Sequence, residues 1–151
     1  MKHRAVALIL MGGFLAVTGC GGGSGSGGGT APASTPATSP YDSGPRASEA
    51  PVNEALAAQG ETLFKSKTCS TCHGFGVRIT GPDLKGVSQR RTVQWMTHQI
   101  LHPDVMTKED PIAKQLLGQY LVQMPKLPVT EEEAQALIEY LKKRDRDSGA
   151  Q

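Results

Sequence analysis

Cys69-Ser70-Thr71-Cys72-His73 is the stretch on which the reading of the chain turns. Two cysteines three positions apart, followed at once by a histidine, form the attachment pattern of a c-type haem. The two thiols add across the two vinyl groups of the porphyrin. The adjacent imidazole then reaches the iron from one face. The spacing matters because one tight turn must present two sulfurs and one nitrogen to a single rigid, planar macrocycle. Five residues are a short pattern, so the segments on either side carry the rest of the argument.

At the beginning of the chain, Lys2, His3 and Arg4 make a positive start, and Ala5 to Val17 is a run of 13 residues without a charge. That run is too short to span a bilayer comfortably. It ends Leu15-Ala16-Val17-Thr18-Gly19-Cys20. Small residues before a cleavage point suit a signal peptidase. A cysteine immediately after them resembles the lipobox of bacterial lipoproteins, in which that cysteine is acylated and becomes the new N-terminus. Residues 1–19 are therefore expected to be a lipoprotein signal peptide, with Cys20 as the lipidation site. An ordinary secretory signal with an incidental Cys20 is the plainer reading. The cysteine count agrees with the first: of three cysteines, one takes lipid and two take thioethers, so no disulfide is expected.

Gly21 to Gly29 contains only glycine and serine, and Thr30 to Ala50 is rich in Pro, Ser, Thr and Ala. Such composition buries too little apolar surface to fold. Residues 20–51 thus read as the lipidated cysteine and a flexible tether. As a Gly-rich coil, about 31 residues would span roughly 30 Å. Leaving out residues 1–19 removes Lys2 and Arg4, so 14 basic residues face 14 acidic ones. A charge near zero argues against nucleic acid as a partner, which needs a basic surface. Aromatic residues make up only 5% of the chain, so the core is modest and a large apolar cofactor would help to fill it.

Residues 52–147 read as the folded domain, with residues 148–151 as a frayed tail. Asn53 suits a helix cap, and a helix is expected from Glu54 to about Lys65, with Leu56, Leu63 and Phe64 as its apolar stripe. Gly60 sits inside it, at a cost of about 1 kcal/mol relative to alanine, which points to a close backbone crossing. Gly81-Pro82-Asp83-Leu84 marks a turn after the haem motif. Thr92 suits the cap of a helix from Val93 to about Leu101, with Val93, Met96 and Ile100 on one face and Trp95, His98 and His102 on another. His98 and His102, four apart, have the spacing of a metal pair but no third ligand in sight. Asp110-Pro111 opens a further short helix that Gly118 should stop. The two prolines in Met124-Pro125-Lys126-Leu127-Pro128 make a rigid loop. Thr130 and Glu133 complete a capping box for the last helix, whose inward stripe is Ala134, Leu137, Ile138 and Leu141.

From Gly60 to Tyr140 the domain resembles the monohaem class I cytochromes c. The matching positions are Gly60, Phe64, Cys69, Cys72, His73, Pro82, Met124, Leu137 and Tyr140. The resemblance implies an all-α fold of about four or five helices around one covalently bound haem c, with crossed N- and C-terminal helices. It implies that Cys69 and Cys72 bind the haem covalently and that His73 and Met124 are the axial ligands. It also implies that the Pro82 carbonyl accepts the proton of the His73 nitrogen that does not bind iron. Met96, Met106, His98 and His102 are the rivals to Met124. A donation from the Trp95 indole to a haem propionate is set against simple packing.

The function implied is one-electron transfer in an extracytoplasmic chain, not enzymatic catalysis. Partners would be redox proteins, and the membrane would be met through the lipid. Lys65, Lys67, Lys85 and Lys126 flank the haem motif and the Met124 loop, and such a patch would steer an acidic partner. Three alternatives stand beside this. An open distal site would make a ligand-binding sensor or enzyme; the domain would serve as a haem subunit of a larger redox complex; or Cys69, Cys72 and His73 would bind zinc, for which the adjacent Cys and His are awkward.

Overall fold

In a computed structural model, the structure describes residues 38–150. The expected signal peptide and Cys20 lie outside the described residues, as do Gln151 and the tether up to Ala37. The described part is built from six α-helices: α1 Glu54–Ser66, α2 Val87–Arg90, α3 Val93–Leu101, α4 Pro103–Glu109, α5 Pro111–Tyr120 and α6 Glu131–Asp147. No β-strand occurs among the described residues, and one isolated antiparallel bridge joins His73 and Arg78.

Helices α1 and α6 form the frame. The Asn53 side chain accepts from Leu56 N at 3.1 Å and starts α1. Thr130 and Glu133 exchange hydrogen bonds at the start of α6, Thr130 N donating to Glu133 Oε2 at 3.0 Å and Glu133 N to Thr130 Oγ1 at 3.2 Å. Ala134, Leu137, Ile138 and Leu141 are all buried, as a helix with one apolar face requires. The crossing is tight at Gly60, where an added methyl would collide with Ala136 O and stand 2.8 Å from Tyr140 Cβ. Beside it the Phe64 and Tyr140 rings pack with centroids 5.4 Å apart. The near end is latched by Lys142, which donates to Pro51 O at 2.9 Å and to Glu139 Oε1 at 2.8 Å, while Glu139 Oε2 accepts from Asn53 N at 2.7 Å. Lys142 is 3% exposed, so this lysine is a buried connector between α6 and the residues that precede α1.

Several expectations are corrected. Helix α2 was not anticipated: four residues are too few for a periodic signal, and α2 is held from outside. The buried Asp145 carboxylate accepts from Gly86 N at 2.6 Å and from Ser88 N and Oγ at 2.9 and 2.6 Å. The stretch around Met106, for which no helix was expected, is α4, because Pro103 occupies its first turn where a missing N–H costs nothing. Helix α5 runs through Gly118 and stops at Leu121, which adopts φ 57°. The tail does not fray at Ser148: Ala150 N donates to Asp145 O at 3.1 Å and Ala150 O accepts from Gln89 Nε2 at 2.7 Å.

The largest correction concerns the domain start. Ser39 to Ala50 was placed in the tether, but these residues form a strap on the domain. Ala47 is 1% exposed and donates its N–H to Arg91 O at 3.0 Å. Asp42 accepts from Thr92 N at 2.8 Å and pairs with Arg46 and Arg91 at 3.1 and 3.3 Å. Composition misleads here because one aspartate and one arginine, spaced for specific hydrogen bonds, replace the apolar area that the segment lacks.

Candidate functional site

A single cleft, with walls mostly of apolar side chains, opens between α1, α3, α5, α6 and the two loops that follow the haem motif and α5. Cys69, His73, Pro82, Trp95 and Met124 all line it. Cys69 to Thr71 form a 3-10 turn directly after α1. Thr68 adopts φ 60° between the two, the left-handed conformation that turns the chain sharply from α1 into the haem motif. Cys72 N and His73 N both donate to Cys69 O, at 3.2 and 3.0 Å. Cys69 and Cys72 are free thiols, each half-buried. Burial pushes the Cys69 thiol above its ordinary range, so it is neutral near pH 7.

His73 is fixed from behind. Its Nδ1 lies 2.9 Å from Pro82 O, and a carbonyl accepts only, so Nδ1 carries the proton and Nε2 keeps its lone pair. Gly81 makes the approach possible. A side chain there would begin 2.8 Å from His73 Cε1 and 3.1 Å from Nδ1. Asp83 holds the same loop by accepting from Gly76 N at 2.7 Å and Lys85 N at 2.9 Å. Arg90 ties it again by donating to Lys85 O at 2.7 Å. Phe75 packs the loop onto the helix crossing, with its ring 5.5 Å from Phe64 and 5.9 Å from Tyr140.

Met124 lies in the loop between α5 and α6 and faces the cleft. Lys67 secures that loop by donating to Pro128 O at 2.6 Å and pairing with Glu133 at 2.9 Å. Of the rival ligands, Met106 is 1% exposed inside the core. Met96 is buried on α3 and contributes to the cleft wall. The His98 ring packs against Tyr41 at 4.2 Å and lies 6.3 Å from His102, centroid to centroid. Among the described residues no three metal-ligating side chains cluster. Trp95 is packed, the plainer of its two readings: it is buried on the cleft wall, and its Nε1 donates to the buried Asp110 Oδ1 at 3.1 Å.

The residues present fit a c-type haem. The Cys69 thiol and an imidazole with an available Nε2 line an apolar cleft, the Cys72 thiol follows in the same turn, and a thioether faces the cleft from the loop after α5. The structure also adds a residue that the sequence did not single out. Gln99 lines the cleft, its Nε2 3.9 Å from Met124 Sδ. The signal was available in the spacing, since the cleft face of α3 runs through Trp95, Met96, Gln99 and Ile100 and not through Val93, which is 42% exposed.

Comparison with known proteins agrees. The family model described as Cytochrome c matches residues 57–145. Cytochrome c-551 of Stutzerimonas stutzeri is 34% identical over 90 residues, covering 60% of this chain and 81% of that protein. Cytochrome c-551 of Ectopseudomonas mendocina is 33% identical over 84 residues, covering 56% of this chain and 95% of that protein. Among solved structures, a cytochrome c from Rhodothermus marinus superposes with a TM-score of 0.62 at 35% identity, covering 64% of this chain and 83% of that one. An engineered form of it, bound to a carbene intermediate, gives 0.58 at 35% identity, covering 64% and 82%.

Proposed function

This chain belongs to the cytochrome c family, and from that premise we propose that it carries single electrons between redox proteins outside the cytoplasm. Members bind one covalent haem c and act as electron carriers. When bound, the haem supplies a one-electron couple between ferric and ferrous iron. Everything else is the work of the chain. Cys69 and Cys72 would hold the group by two thioether bonds. His73 would offer Nε2 to the iron, with its tautomer set by Pro82 O. Met124 would offer its sulfur as the second ligand, and a Met/His pair favours the ferrous state.

One observation carries this reading: an imidazole locked by a carbonyl at 2.9 Å and a thioether share one apolar cleft. Both donors sit on segments tied down by several hydrogen bonds, so little needs to move on electron transfer. The deciding test is the ferrous holoprotein exposed to carbon monoxide. A carrier with Met124 bound resists the ligand. Rapid binding would instead support a sensor or a haem subunit with an open distal site.

Export and lipid attachment at Cys20 belong to the same proposal, supported by the basic start, the short apolar run and the small residues before that cysteine. No helix among the described residues is long and apolar enough to cross a membrane. Mass spectrometry of the mature protein, and release of a Cys20→Ser variant from the membrane fraction, test this part. The lysines near the cleft divide in two. Lys85 and Lys126 are exposed, Lys65 pairs with Glu61 at 2.8 Å, and Lys67 is spent on the Met124 loop. An acidic partner would therefore meet Lys85 and Lys126 first, and the association rate would fall with ionic strength.

A further inference from the structure

Gln99 is a polar side chain on the cleft face of α3, where its neighbours Trp95, Met96 and Ile100 are apolar. Its amide reaches Met124, with Nε2 3.9 Å from Sδ, and its Oε1 is buried without a hydrogen-bond partner. A thioether sulfur accepts and never donates, so the nitrogen end of the amide belongs beside it. Among the described residues Met124 is the hydrogen-bond partner of this amide, and an apolar side chain of the same length would pack there without burying a polar atom. What remains is its contact with Met124.

We infer that Gln99 is a positioning residue for the Met124 sulfur, and that its hydrogen bond raises the reduction potential. This rests on Met124 being the distal ligand. A thioether sulfur has two lone pairs. One goes to iron. An N–H on the other draws electron density away and weakens the sulfur as a donor. Ferric iron asks more of its donors than ferrous iron, so it loses more by this. Hydrogen bonding to a metal ligand from outside the coordination sphere is an established way to tune the metal. The same contact fixes which lone pair of Met124 faces inward, because the amide holds the other.

The test is the holoprotein with Gln99→Leu, and with Gln99→Met as an apolar isostere that keeps side-chain length. Both lack the donor. The expected result is a shift of about threefold toward the ferric form, which is a potential lower by about 30 mV at roughly 59 mV per tenfold change. The iron–thioether absorption band persists, and the ferric form binds added imidazole about threefold more weakly. The thermal midpoint does not fall, since an unmet oxygen is removed with the nitrogen. A potential unchanged in both variants, with or without lost stability, overturns the inference while leaving Met124 as ligand. A wild-type holoprotein without the iron–thioether band overturns both together.

Discussion

Gly60 on α1 lies so close to Ala136 on α6 that the Ala136 carbonyl occupies the space a Gly60 side chain would need, and the Tyr140 Cβ is 2.8 Å from the same point. Two opposing effects act on Gly60→Ala. Helix propensity favours alanine by about 1 kcal/mol. Overpacking against backbone costs about 1–3 kcal/mol and sometimes more, and backbone cannot rotate aside. The clash is with backbone, so the upper end of that cost applies, and the net expectation is a destabilisation of about 2 kcal/mol or more, read from denaturant unfolding of the holoprotein. A variant as stable as the wild type would mean that the crossing is looser than described.

Replacing Met124 by alanine removes a soft, neutral donor. The reduction potential should fall, the iron–thioether band should vanish and carbon monoxide should bind the ferrous form. An unchanged spectrum would pass the distal role to another residue. Met96 would be first in line, because it is the other methionine on the cleft wall.

At Gly81→Ala the new methyl would stand 2.8 Å from His73 Cε1 and 3.3 Å from Cys72 O. The imidazole must turn, and its hydrogen bond to Pro82 O lengthens. A histidine that gives up this bond becomes a poorer donor, so the potential should rise and the thermal midpoint fall. Voltammetry and thermal melts of the same preparation check both.

Asp145 is 1% exposed and accepts three hydrogen bonds from the start of α2. Asp145→Ala leaves Gly86 N, Ser88 N and Ser88 Oγ unmet, at about 1–3 kcal/mol for each group that water cannot reach. A loss of about 3 kcal/mol or more in denaturant unfolding is expected. The damage should extend to Arg90, whose bond to Lys85 O helps to hold the Pro82 loop.

Acid should weaken the same loop through Asp83. The N–H of Lys85, first, and that of Gly76 hold its carboxyl below the ordinary carboxylate range. A folded-state value below the unfolded one means that the contribution is present above about pH 4. It is lost as pH falls through the folded-state value. Asp83→Asn should flatten the acid limb of stability against pH and leave stability near neutrality only modestly lower.

The haem motif, the Asn53, Thr92 and Thr130 caps and the Gly60 crossing were legible because each rests on a local rule or a fixed spacing. Pro82 was legible only through family resemblance, yet its carbonyl meets His73 as that resemblance implied. Helix α4 has only seven residues, and Pro103, which stands just past the end expected for α3, is its initiator. Gly118 was read as a stop, but the packing of Ile112, Ala113 and Leu116 carries α5 past it. The strap was beyond local reading, and the spacing on α3 could place Gln99 on the cleft face but not name its partner. Their meaning lies in partners 50 and 25 positions away, Thr92 for Asp42 and Met124 for Gln99.

The strap also determines where mechanical load enters the domain. A pull on the chain from upstream of Ser39 meets Tyr41, Asp42 and Arg46 first, and they pass it to the Arg90–Thr92 junction. The strain therefore spends itself at the head of α3 before α1, which leads directly into Cys69, feels any of it. Were the upstream residues the tether proposed above, their motion would leave the haem-binding turn in shape.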